Sequence, residues 1–295
     1  MTPRVLEALY QPVREDLEAL LQLLSEELAA DDPFIQELVT HVLRTRGKLL
    51  RPALTFLSAR AVGEPAAESR ALAAAVELIH VASLIHDDVI DESPLRRGEP
   101  TANARWGNQV AVLLGDYLFA KSFHLLSRIG RETVASRMSL ATVPMSQAEI
   151  IASACACGAL LAGAEEAVAE RLDRFGLHWG IAFQITDDAL DLLSDPETLG
   201  KPIGSDIRSG KMTLPLIHAL RHARDGDRAR LVRLIQEGDV EGLRQELLRY
   251  GSFAYAREAA RRHAEGALEA LRTLPAAPAR DSLIGLTEFV LIRDR

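Results

Sequence analysis

Two acidic clusters of identical spacing constrain this chain more than any other feature. Residues 78–97 read LIHVASLIHDDVIDESPLRR and residues 186–192 read TDDALDL, so Asp87, Asp88 and Asp91 recur as Asp187, Asp188 and Asp191. Each cluster closes an apolar run of helical character, VASLI before the first and GIAFQI before the second. At 3.6 residues per turn, the first and last aspartates of a cluster lie about 40° apart on one helix face. Free aspartate has a pKa of about 3.9, so all six are read as ionised at neutral pH. Two such charges ~4 Å apart repel by about 4 kcal/mol at an effective dielectric of ~20. Such a cluster persists where water screens it or a cation occupies it. An all-oxygen set suits Mg²⁺, which takes one or two carboxylates plus substrate phosphates. One DDxxD is as readily a solvated helix end, but two, each at the polar end of a core-type helix, are hard to explain that way. If the two helices face each other in a bundle, six carboxylates meet around one cavity. That suits two or three divalent ions and a polyphosphate.

The rest of the pattern is helical. Leu6, Leu9, Leu17, Leu20, Leu21, Leu24 and Leu28 predict an amphipathic helix over residues 4–30. Further helices are expected over 33–46, stopping at Gly47, then from Pro52 to about 61, over 66–91 and over 108–128. Residues 130–150 are ambiguous, 150–193 read as continuously helical, 194–211 as a polar loop, and helices follow to the end with turns at Gly251 and 274–278. Sustained period-two alternation is missing, so strands have little support. The expectation is one all-α domain over residues 1–295.

Composition narrows the function. The 295 residues are 48% hydrophobic and 26% charged, enough to bury a large core. A net charge of −8 argues against a nucleic-acid surface. Cys155 and Cys157 sit one residue apart in an apolar stretch, which matches neither a zinc site nor a disulfide framework and points to a reducing, cytoplasmic setting. Acids recur every few residues near the start, so it is not read as a signal peptide, and residues 150–164 are read as a buried core helix rather than a membrane span. Lys48, Arg51, Arg96, Arg97, Lys201 and Lys211 lie beside or near Gly47, Gly98, Gly200 and Gly210. Any one of them alone reads as surface charge. Together they suggest loops that close on an anion, where arginine offers a bidentate fork to phosphate oxygens.

GKLLRP (47–52), HVASLIHDDVIDESPLRRGEPTANA (80–104), GNQVAVLLGDYLFAKSF (107–123), FQITDDALDL (183–192) and LGKPIGSDIRSGKMTLP (199–215) occur in the order seen in one family. In them the chain resembles the trans-isoprenyl diphosphate synthases, or polyprenyl synthetases, most of all the long-chain polyprenyl diphosphate synthases. The resemblance implies an all-α bundle around a deep central cavity, usually a homodimer. It implies that Asp87, Asp88, Asp91, Asp187, Asp188 and Asp191 are catalytic and hold Mg²⁺ ions bridging the allylic diphosphate, with Asp87, Asp91, Asp187, Asp188 and Asp191 as the direct ligands. Lys48, Arg51, His80 and Arg97 would bind isopentenyl diphosphate, and Arg96, Gln184, Lys201 and Lys211 would contact the allylic diphosphate or the closing loop. Taken alone, His80 reads as a satisfied core histidine. Glu77-x-x-His80 also fits half of a di-iron bundle motif, but no convincing second Glu-x-x-His stands on a core helix. A class I terpene cyclase is the nearest enzymatic rival, opposed by the second DDxxD, and a helical partner subunit is the non-enzymatic one.

The growing product should run along the face one and two turns before the first cluster, past Ser83, Ala82 and Ile79. In the family, bulky aromatics there act as a floor. None stands there in this chain, so the expected product is long, about seven to ten isoprene units, and membrane-destined; a shorter product is the alternative.

The sequence departs from the family between Phe123 and Gly158, where it is short and the expected Lys-Thr is missing. Loss of roughly 24 residues would remove about 36 Å of helix. Three accounts compete: residues numbered consecutively across an omitted loop, which is favoured; a real shortening that impairs the enzyme; or a subunit of a heteromer. The first requires a Cα–Cα distance far above ~3.8 Å within 148–154.

Overall fold

The computed structural model describes residues 3–292 apart from 46, 145, 194–206 and 208–209, with the side chains of 3 and 4 also left aside. The single helix expected over 4–30 is two. Helix α1 (Pro3–Tyr10) and α2 (Arg14–Glu27) are joined by a 3₁₀ turn at Gln11–Val13, because Pro12 has no N–H to give and its ring crowds the preceding turn. The Tyr10 hydroxyl donates to the Lys48 carbonyl at 3.1 Å, tying this joint to the GKLLRP segment. Helix α3 (Pro33–Arg44) starts where predicted: the Asp32 carboxylate accepts from the amides of Phe34 and Ile35, and Pro33 occupies the first turn. Helix α4 (Leu50–Arg60) follows Leu49, which holds a left-handed φ of 51°.

Helix α5 (Glu68–Ile90) is the central rod; every residue from Leu72 to Ile79 on it is buried. After it comes a feature the period-two search did not find, a hairpin of Leu95–Arg96 (β1) and Glu99–Pro100 (β2). Its strands are two residues long, too short for alternation to register. Short α6 (Ala102–Trp106) leads into α7 (Asn108–Arg128), then α8 (Glu132–Thr142) in the ambiguous region. The expected continuous helix over 150–193 is also two, α9 (Gln147–Leu161) and α10 (Glu166–Leu193), parted at Gly163, whose φ of 87° ends the first. Toward the end of the chain run α11 (Leu214–His222), α12 (Asp225–Glu237), α13 (Val240–Arg249), α14 (Ser252–Leu271) and α15 (Pro278–Ile292).

Helix α9 is unbroken through 148–154, with the Ile150 amide on the Ser146 carbonyl at 3.1 Å. The break that the favoured account, an omitted loop, requires at 148–154 is not found there. Helix α9 packs against α4 and α10, and small residues let the backbones meet. A Cβ at Gly176 would stand 2.6 Å from the Ala152 Cα, and one at Gly180 would stand 2.7 Å from the Ala148 Cα. The core helix expected near 150–164 is confirmed, since residues 150–159 are all buried. A second apolar cluster, including Leu192, Leu216, Leu231 and Leu247, gathers α11–α13 around the far end of α10. Helix α7 alone among the described helices is long and apolar enough to cross a membrane, by length and composition only.

Candidate active site

The first cluster ends α5. Asp91 closes the helix with its amide on the Asp87 carbonyl at 2.8 Å, and both their side chains are exposed while Asp88 is buried. Partial burial and then the like charge of Asp91 raise the Asp87 pKa. Asp88 is claimed by Arg96, whose Nε lies 2.9 Å from both carboxylate oxygens and whose Nη2 lies 2.7 Å from Oδ1. The hairpin makes this possible. Its two-residue turn, Arg97-Gly98, has φ of 54° and 80°, the signs of a primed turn. The neighbouring arginines therefore part company: Arg96 turns to Asp88, while Arg97 donates from Nη1 to the Thr45 carbonyl at 2.8 Å. Gly47 is needed for that seat, since a Cβ there would meet Arg97 Nη2 at 2.6 Å. The TANA residues lock the loop: Thr101 Oγ1 donates to the Ser93 carbonyl at 2.6 Å, and Asn103 Nδ2 donates to the Asp88 carbonyl at 3.2 Å.

The second cluster is deeper. Asp188 and Asp191 are buried, Asp187 half-buried. Asp188 Oδ1 accepts from Lys211 Nζ at 2.8 Å and from Gln184 Nε2 at 2.6 Å. Lys201 falls outside the described residues. Among the described residues, no group of three or more acidic, histidine or cysteine side chains converges on a single ion position. Like charges separate, and Arg96 and Lys211 take one aspartate of each cluster. The donor chemistry still fits a hard divalent ion: Asp87, Asp91 and Asp187 present carboxylate oxygens beside cationic groups suited to phosphate.

A basic face lies between the clusters. Arg51, in the first turn of α4, is lowered to about 10 by burial, with Glu77 and Asp187 opposing the shift. That field from Asp187 brings the second cluster to the same region. Burial, then Arg51, Arg97 and Arg96, hold His80 well below the ordinary histidine range, while a hydrogen bond to Gln147 acts the other way. Its Nδ1 is buried without a hydrogen-bond partner. Beside it a cleft open to solvent is lined by Gly47, Glu77, His80, Asp88, Arg96 and Arg97. Lys48 is exposed at its edge of the chain, before α4. Ile79, Ala82 and Ser83 are all buried on α5.

Gln147 escaped the sequence reading of this face, and Glu77 was weighed there only as half of a di-iron motif. Glu77 is buried, its pKa raised by that burial while Arg51 and Arg97 act to lower it; a glutamate inside an apolar helix one turn before His80 was its signal. Gln147 joins Arg51 and Ser83, and a lone glutamine in MSQAEI gave no comparable sign.

The family model "Polyprenyl synthetase" matches residues 32–150 and again 140–249, two segments that meet where the chain is short. The all-trans-nonaprenyl-diphosphate synthase (geranyl-diphosphate specific) of Rhodobacter capsulatus is 37% identical over 313 residues, 96% of each chain. The octaprenyl diphosphate synthase of Escherichia coli is 34% identical over 322 positions, covering 98% of this chain and 99% of that one. Because this chain has 295 residues, at least 27 of those 322 positions are gaps in it. A crystal structure of polyprenyl synthase from Caulobacter crescentus, complexed with calcium and isoprenyl diphosphate, superposes with a TM-score of 0.90 at 32% identity over 98% of each chain. The chain belongs to the polyprenyl synthetase family.

Proposed function

We propose that this chain is a Mg²⁺-dependent trans-prenyltransferase. It condenses isopentenyl diphosphate with an allylic diphosphate to give a long all-trans polyprenyl diphosphate. The observation that carries this is the pairing of two DDxxD helix ends, on α5 and α10, with the basic face of half-buried Arg51 and His80 and exposed Arg97. Asp87, Asp91, Asp187, Asp188 and Asp191 would hold two or three Mg²⁺ ions, whose chemistry is to neutralise charge on the allylic diphosphate. Arg96 and Lys211, drawn to Asp88 and Asp188 here, are placed to turn to phosphate oxygens as that charge grows. Lys48, Arg51, His80 and Arg97 orient isopentenyl diphosphate so that its double bond faces the allylic carbon. His80 is held neutral and serves as a hydrogen-bonding group rather than a cation. The departing diphosphate is the base that takes the proton, which asks no base of the protein.

A long product, about seven to ten isoprene units, is supported by the small buried side chains at Ala82 and Ser83 and by the long-chain relatives. We place the enzyme in the cytoplasm as a homodimer handing product to a membrane. The exposed Val112, Leu113 and Phe123 of α7 support the dimer, because an apolar stripe of that kind is ordinarily covered. Incubating the purified protein with isopentenyl diphosphate, geranylgeranyl diphosphate and Mg²⁺ tests the reading. Elongated diphosphates in mass analysis are expected. A cyclised hydrocarbon, or no turnover without a partner chain, overturns it, and products of only three or four units overturn the long-chain part.

A further inference from the structure

The short segment places one side chain where three parts of the site meet. Gln147 stands in the first turn of α9, seated there by Ala148 against Gly180 of α10. Its Oε1 accepts from Arg51 Nε at 3.0 Å, and its Nε2 donates to Ser83 Oγ at 3.1 Å. Ser83 Oγ donates in turn to the His80 carbonyl at 2.8 Å. The Arg51 guanidinium makes no other hydrogen bond among the described residues. With Nε engaged, the plane of the guanidinium is fixed and both terminal nitrogens remain for a ligand. That is the fork a diphosphate accepts in bidentate fashion.

We infer that Gln147 is a positioning residue for isopentenyl diphosphate: it orients Arg51 from the wall that the shortened chain leaves, and its amide ties that orientation to Ser83 on the product path. This rests on the reading of Arg51 as a diphosphate ligand. Removing the amide frees the guanidinium to rotate, so substrate binding weakens while the chemical step, set at the aspartate ends, changes little.

A double-mutant cycle decides it. Gln147→Met keeps the length of the side chain and loses the amide's hydrogen bonds to Arg51, Ser83 and His80; Arg51→Lys keeps the charge and loses the Nε–H that Gln147 accepts. In Q147M we expect the KM for isopentenyl diphosphate to rise about tenfold or more, with kcat within about threefold. In the double variant we expect no further rise over R51K beyond about twofold, since the bond is already gone. Additive effects, or an unchanged KM in folded Q147M, overturn the inference. Calorimetric titration of isopentenyl diphosphate onto the same proteins separates it from the wider reading: weaker binding in Q147M with no turnover in the wild type sinks the prenyltransferase assignment and leaves the inference standing. Gln147→Leu takes the place of Q147M if circular dichroism finds the latter unfolded.

Discussion

The two aspartate clusters share a spacing but not an environment. At the end of α5 only Asp88 is buried and Asp87 and Asp91 face solvent, whereas on α10 Asp188 and Asp191 are buried and Asp187 is half-buried. Their basic partners differ in the same sense. Arg96 reaches Asp88 through three short contacts from a hairpin locked by Thr101 and Asn103. Lys211, 23 positions from Asp188 in the chain, reaches it with its ammonium at 2.8 Å. One cluster is therefore clamped from the neighbouring hairpin, and the other is met by a residue more distant in the chain. A motif repeated in sequence need not be a site repeated in structure.

The sharpest break of this comparison is at the metal-facing carboxylates. Asp87→Ala and Asp187→Ala should each lower turnover by about a hundredfold or more with the far-ultraviolet dichroism unchanged. Full activity in either would remove that cluster from the mechanism. Next comes the clamp. Arg96→Ala leaves the Asp88 carboxylate, 6% exposed, without its partner and should cost about 2–3 kcal/mol in urea unfolding. Lys211→Ala should cost about 1 kcal/mol or less, because that ammonium is 45% exposed. Equal losses would erase the distinction drawn between the two pairs.

Packing beneath the clusters gives a comparable effect. Gly176→Ala forces a methyl group to within 2.6 Å of the Ala152 Cα and should lower stability by about 1–3 kcal/mol, seen as a fall in Tm. The smallest effect is on pH. His80 is held neutral in the folded protein with its pKa well below that of the unfolded chain, about 6.5. As pH falls through that value the unfolded state gains the proton first, so stability drops, by at most about 1.4 kcal/mol per pH unit from this residue. Glu77, raised by burial, titrates with the opposite sign. The test is therefore the difference in urea midpoint between wild type and His80→Gln from pH 7.5 to 5.5, and parallel curves would refute the assignment.

Much of the fold was legible because helical periodicity and punctuation are local. Helix α3 began at Pro33 as expected, and α7 began and ended at the residues expected. The failures were local conflicts as well. Pro12 cut a helix whose leucine spacing continued through it, and Gly163 parted α9 from α10 inside an apolar run. The hairpin was too short for its period to be counted, yet Arg97-Gly98 decides where two arginines point.

The chain's own order of residues determined the family, the helical class and the acidic and basic residues offered to the site, since spacing and charge are properties of sequence. Only the tertiary structure decided which groups meet. Arg96 and Lys211 were offered to an allylic diphosphate and lie on Asp88 and Asp188. Gln147, 96 positions from Arg51 and 64 from Ser83, joins them because α9 closes on α4 and α5 where the chain is short. Hydrogen bonds across such separations depend on how helices pack, and packing is set by the whole set of small and large side chains rather than by any motif.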